Sequence, residues 1–278
     1  MYCYINDKFI DDKKATVSIF DRSFRYGENI FETMLYKEGK IVKLSLHLDR
    51  LLKSAEAVFI NITKTKQEIE DTLQELINKN QLKSSIIKIV VTRGNSSHGL
   101  GFDSTEKPLF LIMQSKFDGY PKSKYINGIS AQIVKTRKIP KECLMPNIKA
   151  GASYLVNILA LKEAKDKKAD EAILLNLEGN IAECTTSNIF WIKDNVIYTP
   201  SLDSEIFPGI TRQTVIKSAR KLGFEIEEGK YKEEQILEAD EVFLSYTTAG
   251  IMPVTKINGK IIGGGKIGKI TKTLLEKF

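Results

Sequence analysis

The strand-like stretches of this chain come in groups, and that grouping restricts its fold more than any other feature. Residues 1 to 20 alternate apolar and polar around the turn residues Asn6 and Asp7, the pattern of a hairpin. Leu44 to Phe59 and Gln67 to Asn80 then show helical apolar spacing, and two strand-like runs, IIKIVVT and LFLIM, follow in succession. Strands that cluster, with helices inserted between clusters, give a mixed α/β arrangement of the α+β kind.

The segment KFDGYPKSKYING, rich in Gly, Lys and Tyr, separates these runs from the next strand, GISAQIV. A length of 278 residues exceeds one typical domain. The expected division is a smaller N-terminal domain over 1–118, a linker over 119–125 and a larger C-terminal domain over 126–278. In the second part the patterns predict a helix from about Tyr154 to Lys168, a strand AILL, a turn at LEGN and a strand from Glu183 through Ile192. The turn KDN and the strand VIYTP come next. FPGITRQTVIKSARKLG reads as a helix preceded by Pro208 and Gly209, with an apolar stripe of Val215, Ile216, Ala219 and Leu222 and a stop at Gly223.

Composition excludes several function classes. The net charge of +7 is dispersed, because lysines alternate with acids in KEAKDKKADEA and EEGKYKEEQ; this is a solvated helix face rather than a nucleic-acid surface. No uncharged apolar run is long enough to span a bilayer, and MYCYINDKFI lacks the pattern of a signal peptide, so cytoplasm is the expected location. Cys3, Cys143 and Cys184 stand at unrelated spacings, and His47 and His98 are the only histidines, which argues against a disulfide framework and against a metal.

Two places invite chemistry. Lys149, in MPNIKAGASYL, sits on an extended run and is followed by Ala150, Gly151, Ala152 and Ser153 before a helix begins. The start of the FPGITR helix offers free backbone N–H groups and the positive end of a macrodipole, which suits a phosphate.

DRSFRYGENIFET, LHLDRL, NIKAGASYL, EGNIAECTTSNIF, FPGITR and SYTTAGIMPV together resemble the class IV aminotransferases, pyridoxal-phosphate enzymes of fold type IV. The likeness runs from about Ile5 to Val254 and has the family's order and spacing. It implies a two-domain fold with a smaller N-terminal α/β domain and a larger, β-barrel-like C-terminal domain with flanking helices. It implies pyridoxal 5'-phosphate as cofactor, with Lys149 forming the Schiff base to its aldehyde and serving as proton carrier. A lysine suits both tasks, because an imine exchanges readily with an incoming amine and the freed amine can move a proton. The resemblance assigns the pyridine nitrogen to Glu183, the ring O3' to Tyr154 and ring packing to Phe207, which replaces the usual leucine. It assigns the phosphate to Arg50, the N–H groups of Ile210 and Thr211, and Thr247. It also implies a homodimer, in which each active site draws on both chains.

Substrate residues separate the family members. After Phe31 and Glu32 this chain has Thr33, Met34 and Leu35 and lacks the Gly and Arg usual in branched-chain enzymes. TRGNSSHGL places His98 and Leu100 where the well-known D-amino-acid enzymes carry an Arg-x-His pair. FRYGENIFET resembles a less typical D-amino-acid transaminase group, in which the arginine matching Arg25 reaches from the neighbouring subunit to the substrate carboxylate. Lys88 would add a second positive charge, and Tyr26, Phe31, Thr248 and Ala249 complete the expected substrate contacts. The resemblance therefore implies transamination between an amino acid, D-enantiomers favoured, and a 2-oxo acid such as 2-oxoglutarate. A branched-chain L-amino-acid transaminase, a 4-amino-4-deoxychorismate lyase and a non-catalytic binding protein on the same scaffold are the alternatives.

Overall fold

A hairpin of β1 (Tyr2–Ile5) and β2 (Lys8–Asp11) opens the chain, and its turn places Asn6 and Asp7 at φ 37° and 68°. Short polar side chains tolerate that left-handed region better than most. The computed structural model describes residues 1–97, 99–102 and 107–277. It separates into two units, Met1–Asp118 with Ile148–Ala152, and Gly119–Asn147 with Ser153–Phe278.

The first unit continues with α1 (Arg22–Tyr26), β3 (Asn29–Lys37), β4 (Lys40–Ile41), α2 (Leu44–Ala57), α3 (Lys66–Asn80), β5 (Ser84–Thr92) and β6 (Phe110–Lys116). Its six strands pair antiparallel in the order β2-β1-β6-β5-β3-β4. One face of the sheet sends Ile30, Met34, Ile87, Ile89 and Val91 into a core with Leu48 and Leu51 of α2 and Ile69, Leu73 and Leu76 of α3. The period of two leaves Phe31, Lys88 and Val90 on the opposite face. α3 starts sharply because Thr65 Oγ1 accepts from the Glu68 N–H while the Glu68 carboxylate accepts from the Thr65 N–H.

The second unit comprises α4 (Lys122–Asn127), β7 (Ile129–Arg137), α5 (Tyr154–Asp166), β8 (Glu171–Leu175), β9 (Ile181–Cys184), β10 (Asn188–Lys193) and β11 (Val196–Pro200). There follow α6 (Ile210–Lys221), β12 (Ile226–Gly229), α7 (Glu233–Leu237), β13 (Glu241–Tyr246), β14 (Gly250–Ile257), β15 (Lys260–Ile261) and α8 (Lys269–Leu275). Its mixed sheet runs β12-β11-β10-β13-β14-β7-β8-β9, with β15 against β14. The terminal strand β9 and the more central β10 bury Ile181, Cys184, Ile189 and Trp191 in one core, so the sheet curls into a half-barrel. On its outer face Phe190 and Phe243 stack at 4.9 Å and pack under α6 and α8 through Val215, Ile216, Ala219, Ile270 and Leu274.

Several sequence expectations differ in detail. The run from Glu183 to Ile192 is two strands, because the Cys184 N–H donates to the Ser187 carbonyl and closes a tight turn. Residues 119–125, expected as a linker, include the start of α4, and Tyr120 and Tyr125 pack against the second unit's core. Leu222 is exposed, while Ile210 and Arg212 join the buried face of α6. Lys149, expected within the second domain, groups with the first.

Candidate active site

Lys149 belongs to a short extended segment alongside β3. The Phe31 N–H donates to the Lys149 carbonyl at 2.9 Å, and Ala150 bridges Ile30 in antiparallel fashion. Ile148 and Ala150 are buried in the first unit's core, so strand alternation turns Lys149 toward the other face. There its Nζ stands 5.0 Å from the centre of the Phe31 ring, and Lys88 Nζ stands 4.5 Å from the same centre. Lys88 is half-buried on β5, opposite Thr33 and Met113. Burial, and then the charge of Lys149, lower its pKa from the ordinary lysine value. Gly151, two residues after Lys149, has a steric reason: a Cβ there would overlap the Asn29 side-chain amide.

Arg50 extends from α2 to Glu32 on the core face of β3. Its Nε and Nη2 donate to the two Glu32 oxygens at 2.6 and 2.9 Å. Arg25, in the last turn of α1, donates from Nη1 to the Ser96 carbonyl at 2.9 Å and lies 4.8 Å over the exposed Tyr26 ring. His98 lies outside the described residues.

In the second unit Glu183 is buried and held by three donors. Lys138 Nζ reaches Oε1 at 2.7 Å; Asn188 Nδ2 at 3.1 Å and the Phe207 N–H at 2.9 Å reach Oε2. The Phe207 carbonyl in turn accepts from Asn188 Nδ2 at 2.8 Å, which locks the FPG turn to the carboxylate. Gly209 caps α6 without a side-chain bond, so the first-turn N–H groups of Ile210 and Thr211 have no side-chain cap from that position. A Cβ at Gly209 would overlap Asn188 Oδ1. Replacing Gly209 with alanine is therefore expected to displace Asn188 and lower stability by about 1–3 kcal/mol, read as a reduced melting temperature.

Thr247, Thr248 and Ala249 form the turn between β13 and β14. Two tyrosines brace it: Tyr120 OH pairs with Thr248 Oγ1 at 3.1 Å, and Tyr125 OH donates to the Ala249 carbonyl at 3.2 Å. Tyr154 is the half-buried first residue of α5.

The residues that support Glu183 and Arg50 have no signal in the sequence. Lys138 lies in KTRKIPK, where nothing distinguishes one basic residue from the next. His47 and Glu32 sit inside the motifs LHLDRL and FET, and their partnership across an intervening strand and turn has no local signal. Among the described residues no helix is long and apolar enough to cross a membrane, and no cluster of three or more His, Cys, Asp or Glu could hold a metal.

Known proteins supply an independent comparison. Residues 29–257 match the family model described as amino-transferase class IV. The chain is 38% identical to a putative branched-chain-amino-acid aminotransferase of Methanocaldococcus jannaschii, covering 100% of this chain and 95% of that protein. It is 32% identical to the aminodeoxychorismate lyase of Bacillus subtilis over 98% of this chain and 91% of the relative, and 32% identical to a D-alanine aminotransferase of Listeria monocytogenes over 100% and 95%. The Escherichia coli branched-chain amino acid aminotransferase superposes with a TM-score of 0.95 at 28% identity, covering 99% of this chain and 92% of that one. Another branched-chain amino acid aminotransferase, complexed with N-(5'-phosphopyridoxyl)-L-glutamate, superposes with a TM-score of 0.91 at 28% identity over 99% and 92%.

The residues present fit the pyridoxal 5'-phosphate that such enzymes use. A carboxylate offers roughly four lone-pair positions, and the donors on Glu183 take three, which leaves room at Oε1 for a pyridine N–H. The α6 N-terminus suits a phosphate, and the buried Ser245 hydroxyl, across the ladder from Asn188, has no partner of its own. A lysine turned out of the core onto an aromatic face and a buried carboxylate with one acceptor position to spare suit this chemistry, and the family match over residues 29–257 makes the chain a class IV aminotransferase, a pyridoxal-phosphate enzyme of fold type IV.

Proposed function

We propose that the chain moves an amino group between an amino acid, D-enantiomers favoured, and a 2-oxo acid such as 2-oxoglutarate, and that it works as a cytoplasmic homodimer. When bound, pyridoxal phosphate supplies the electron sink that stabilises negative charge at the substrate Cα. Lys149 would hold the cofactor aldehyde, and its Nζ, when free, would carry the proton from the substrate Cα. Glu183 would bind the ring nitrogen, with Lys138, Asn188 and Phe207 preventing its carboxylate from turning away. Tyr154 would meet the ring hydroxyl oxygen and Phe207 its face. Arg50, Thr247 and the N–H groups of Ile210 and Thr211 would hold the phosphate.

The observation that carries the substrate reading is the half-buried Lys88 ammonium, 4.5 Å from the Phe31 ring that Lys149 also approaches. A cation there favours a carboxylate over an aliphatic side chain. Arg25 would bring the second charge from the partner copy. Three exposed apolar residues beside α1 support an assembly: Ile19 is 67% exposed, Phe20 56% and Phe24 74%. Free thiols at Cys3, Cys143 and Cys184 suit a reducing compartment.

Mixing the protein, loaded with pyridoxal phosphate, with separate D- and L-amino acids tests the preference, since a competent donor converts the cofactor's absorbance. Rapid turnover of L-leucine with none of D-alanine or D-glutamate would favour the branched-chain reading, which the 38% identity to the Methanocaldococcus jannaschii relative supports. Pyruvate release from aminodeoxychorismate faster than any transamination would favour the lyase. Arg25→Ala is expected to raise the amino-acid KM at least about tenfold with the cofactor spectrum unchanged. Because the Lys88 pKa is lowered, its charge is lost at a lower pH than that of an ordinary lysine. The KM for amino acids should therefore rise as pH climbs through that lowered pKa, and a Lys88→Arg variant, charged throughout, should lack the rise.

A further inference from the structure

We propose that Glu32 and His47 are positioning residues that hold the Arg50 guanidinium in place for anion binding before any ligand arrives. Resting on the cofactor assignment above, this names the group that grips Arg50.

Glu32 is completely buried on a face of β3 whose neighbours in register, Ile30 and Met34, are plain core residues. Taking a carboxylate and a guanidinium from water is costly, and an apolar residue would fill that space at least as stably. A carboxylate there has a geometric use instead. It takes both Arg50 Nε and Nη2, which fixes the plane of the guanidinium and turns its outer edge away from β3. His47, one turn before Arg50 on α2, donates from Nδ1 to Glu32 Oε2 at 2.7 Å, so the carboxylate cannot swing. Burial by itself pushes the Glu32 carboxyl up, yet the hydrogen bonds and charges of His47 and Arg50 outweigh it and hold the group below the ordinary glutamate value. It therefore stays ionised and keeps its grip through the neutral range. An arginine immobilised in advance loses less rotamer freedom when a phosphate arrives.

The test compares two ligands that differ only in the phosphate, pyridoxal 5'-phosphate and pyridoxal, by absorbance titration of the full chain. Glu32→Gln and His47→Phe should weaken pyridoxal phosphate about tenfold and leave pyridoxal within about twofold. His47→Asn should behave like the parent, because its amide nitrogen donates where Nδ1 did. Equal losses for both ligands, or undiminished pyridoxal-phosphate affinity in Glu32→Gln and His47→Phe, would overturn the proposal. If the buried substitutions prevent folding, the unaltered protein decides: by NMR the Arg50 Nε–H should exchange slowly with solvent before any ligand is added, and fast exchange would overturn the clamp. Failure of the parent to bind pyridoxal phosphate would instead remove the cofactor assignment, a result that the exchange measurement does not depend on.

Discussion

Replacing Lys149 with alanine is expected to abolish transamination, with a loss on the order of 10²–10⁴-fold or greater. On the proposed assignment, the group removed would be both the attachment point for the aldehyde and the amine that moves the Cα proton. Fold should survive, because Ile148 and Ala150 hold the segment in the first unit's core while the Lys149 side chain points the other way. Borohydride reduction of the parent enzyme with its cofactor, followed by peptide mapping, should leave a phosphopyridoxyl group on Lys149. A label on a different lysine, or an alanine variant that keeps its rate, would remove the centre of the proposed chemistry. The nearby Lys88 is the control, since it approaches the same Phe31 ring yet lies mid-strand on β5.

The next largest effect belongs to Glu183→Gln. On the proposed assignment of Glu183 to the cofactor's ring nitrogen, a neutral amide would provide no balancing charge there, so proton movement at the substrate Cα should slow on the order of 10²–10³-fold. There is also a structural penalty. Lys138 loses its ionic partner in a site where its side chain is only 14% exposed. The new amide NH₂ must point at Lys138 or at the donors Asn188 Nδ2 and Phe207 N–H. A stability loss of about 2 kcal/mol or more is expected, visible as a lower denaturant midpoint. Glu183→Asp keeps the charge and should recover stability better than rate, because the shorter stem retracts the carboxylate from the ring. Full single-turnover rates in the Gln variant would sink the assignment of Glu183.

How much of this was legible beforehand varied from element to element. Helices α2, α3 and α6 announced themselves through apolar periodicity, and the hairpin of β1 and β2 through alternation around Asn6 and Asp7. These are local patterns, set by 3.6-residue and two-residue geometry, and any fold that buried the same face would read the same way. Lys149, Glu183, Arg50 and the FPGITR helix start were nameable because their motifs occur in the family's order.

Tertiary structure alone decided what each anchor touches. Lys138 meets Glu183 across 45 residues, and Glu32 meets Arg50 across 18. Hydrogen bonds between distant residues leave no trace in local periodicity, because sequence spacing constrains contacts only within one helix or one strand. The same holds for Lys149: whether it grouped with the strands before it or the helix after it depended on a bridge from Ala150 to Ile30, 120 residues earlier. The amino-acid order thus determined which elements form, which faces they bury and which side chains have reactive chemistry. The packing of those faces determined which charges are paired, which buried hydroxyls are left unpaired and which way the lysine points, since these depend on elements brought together only when the apolar faces leave water.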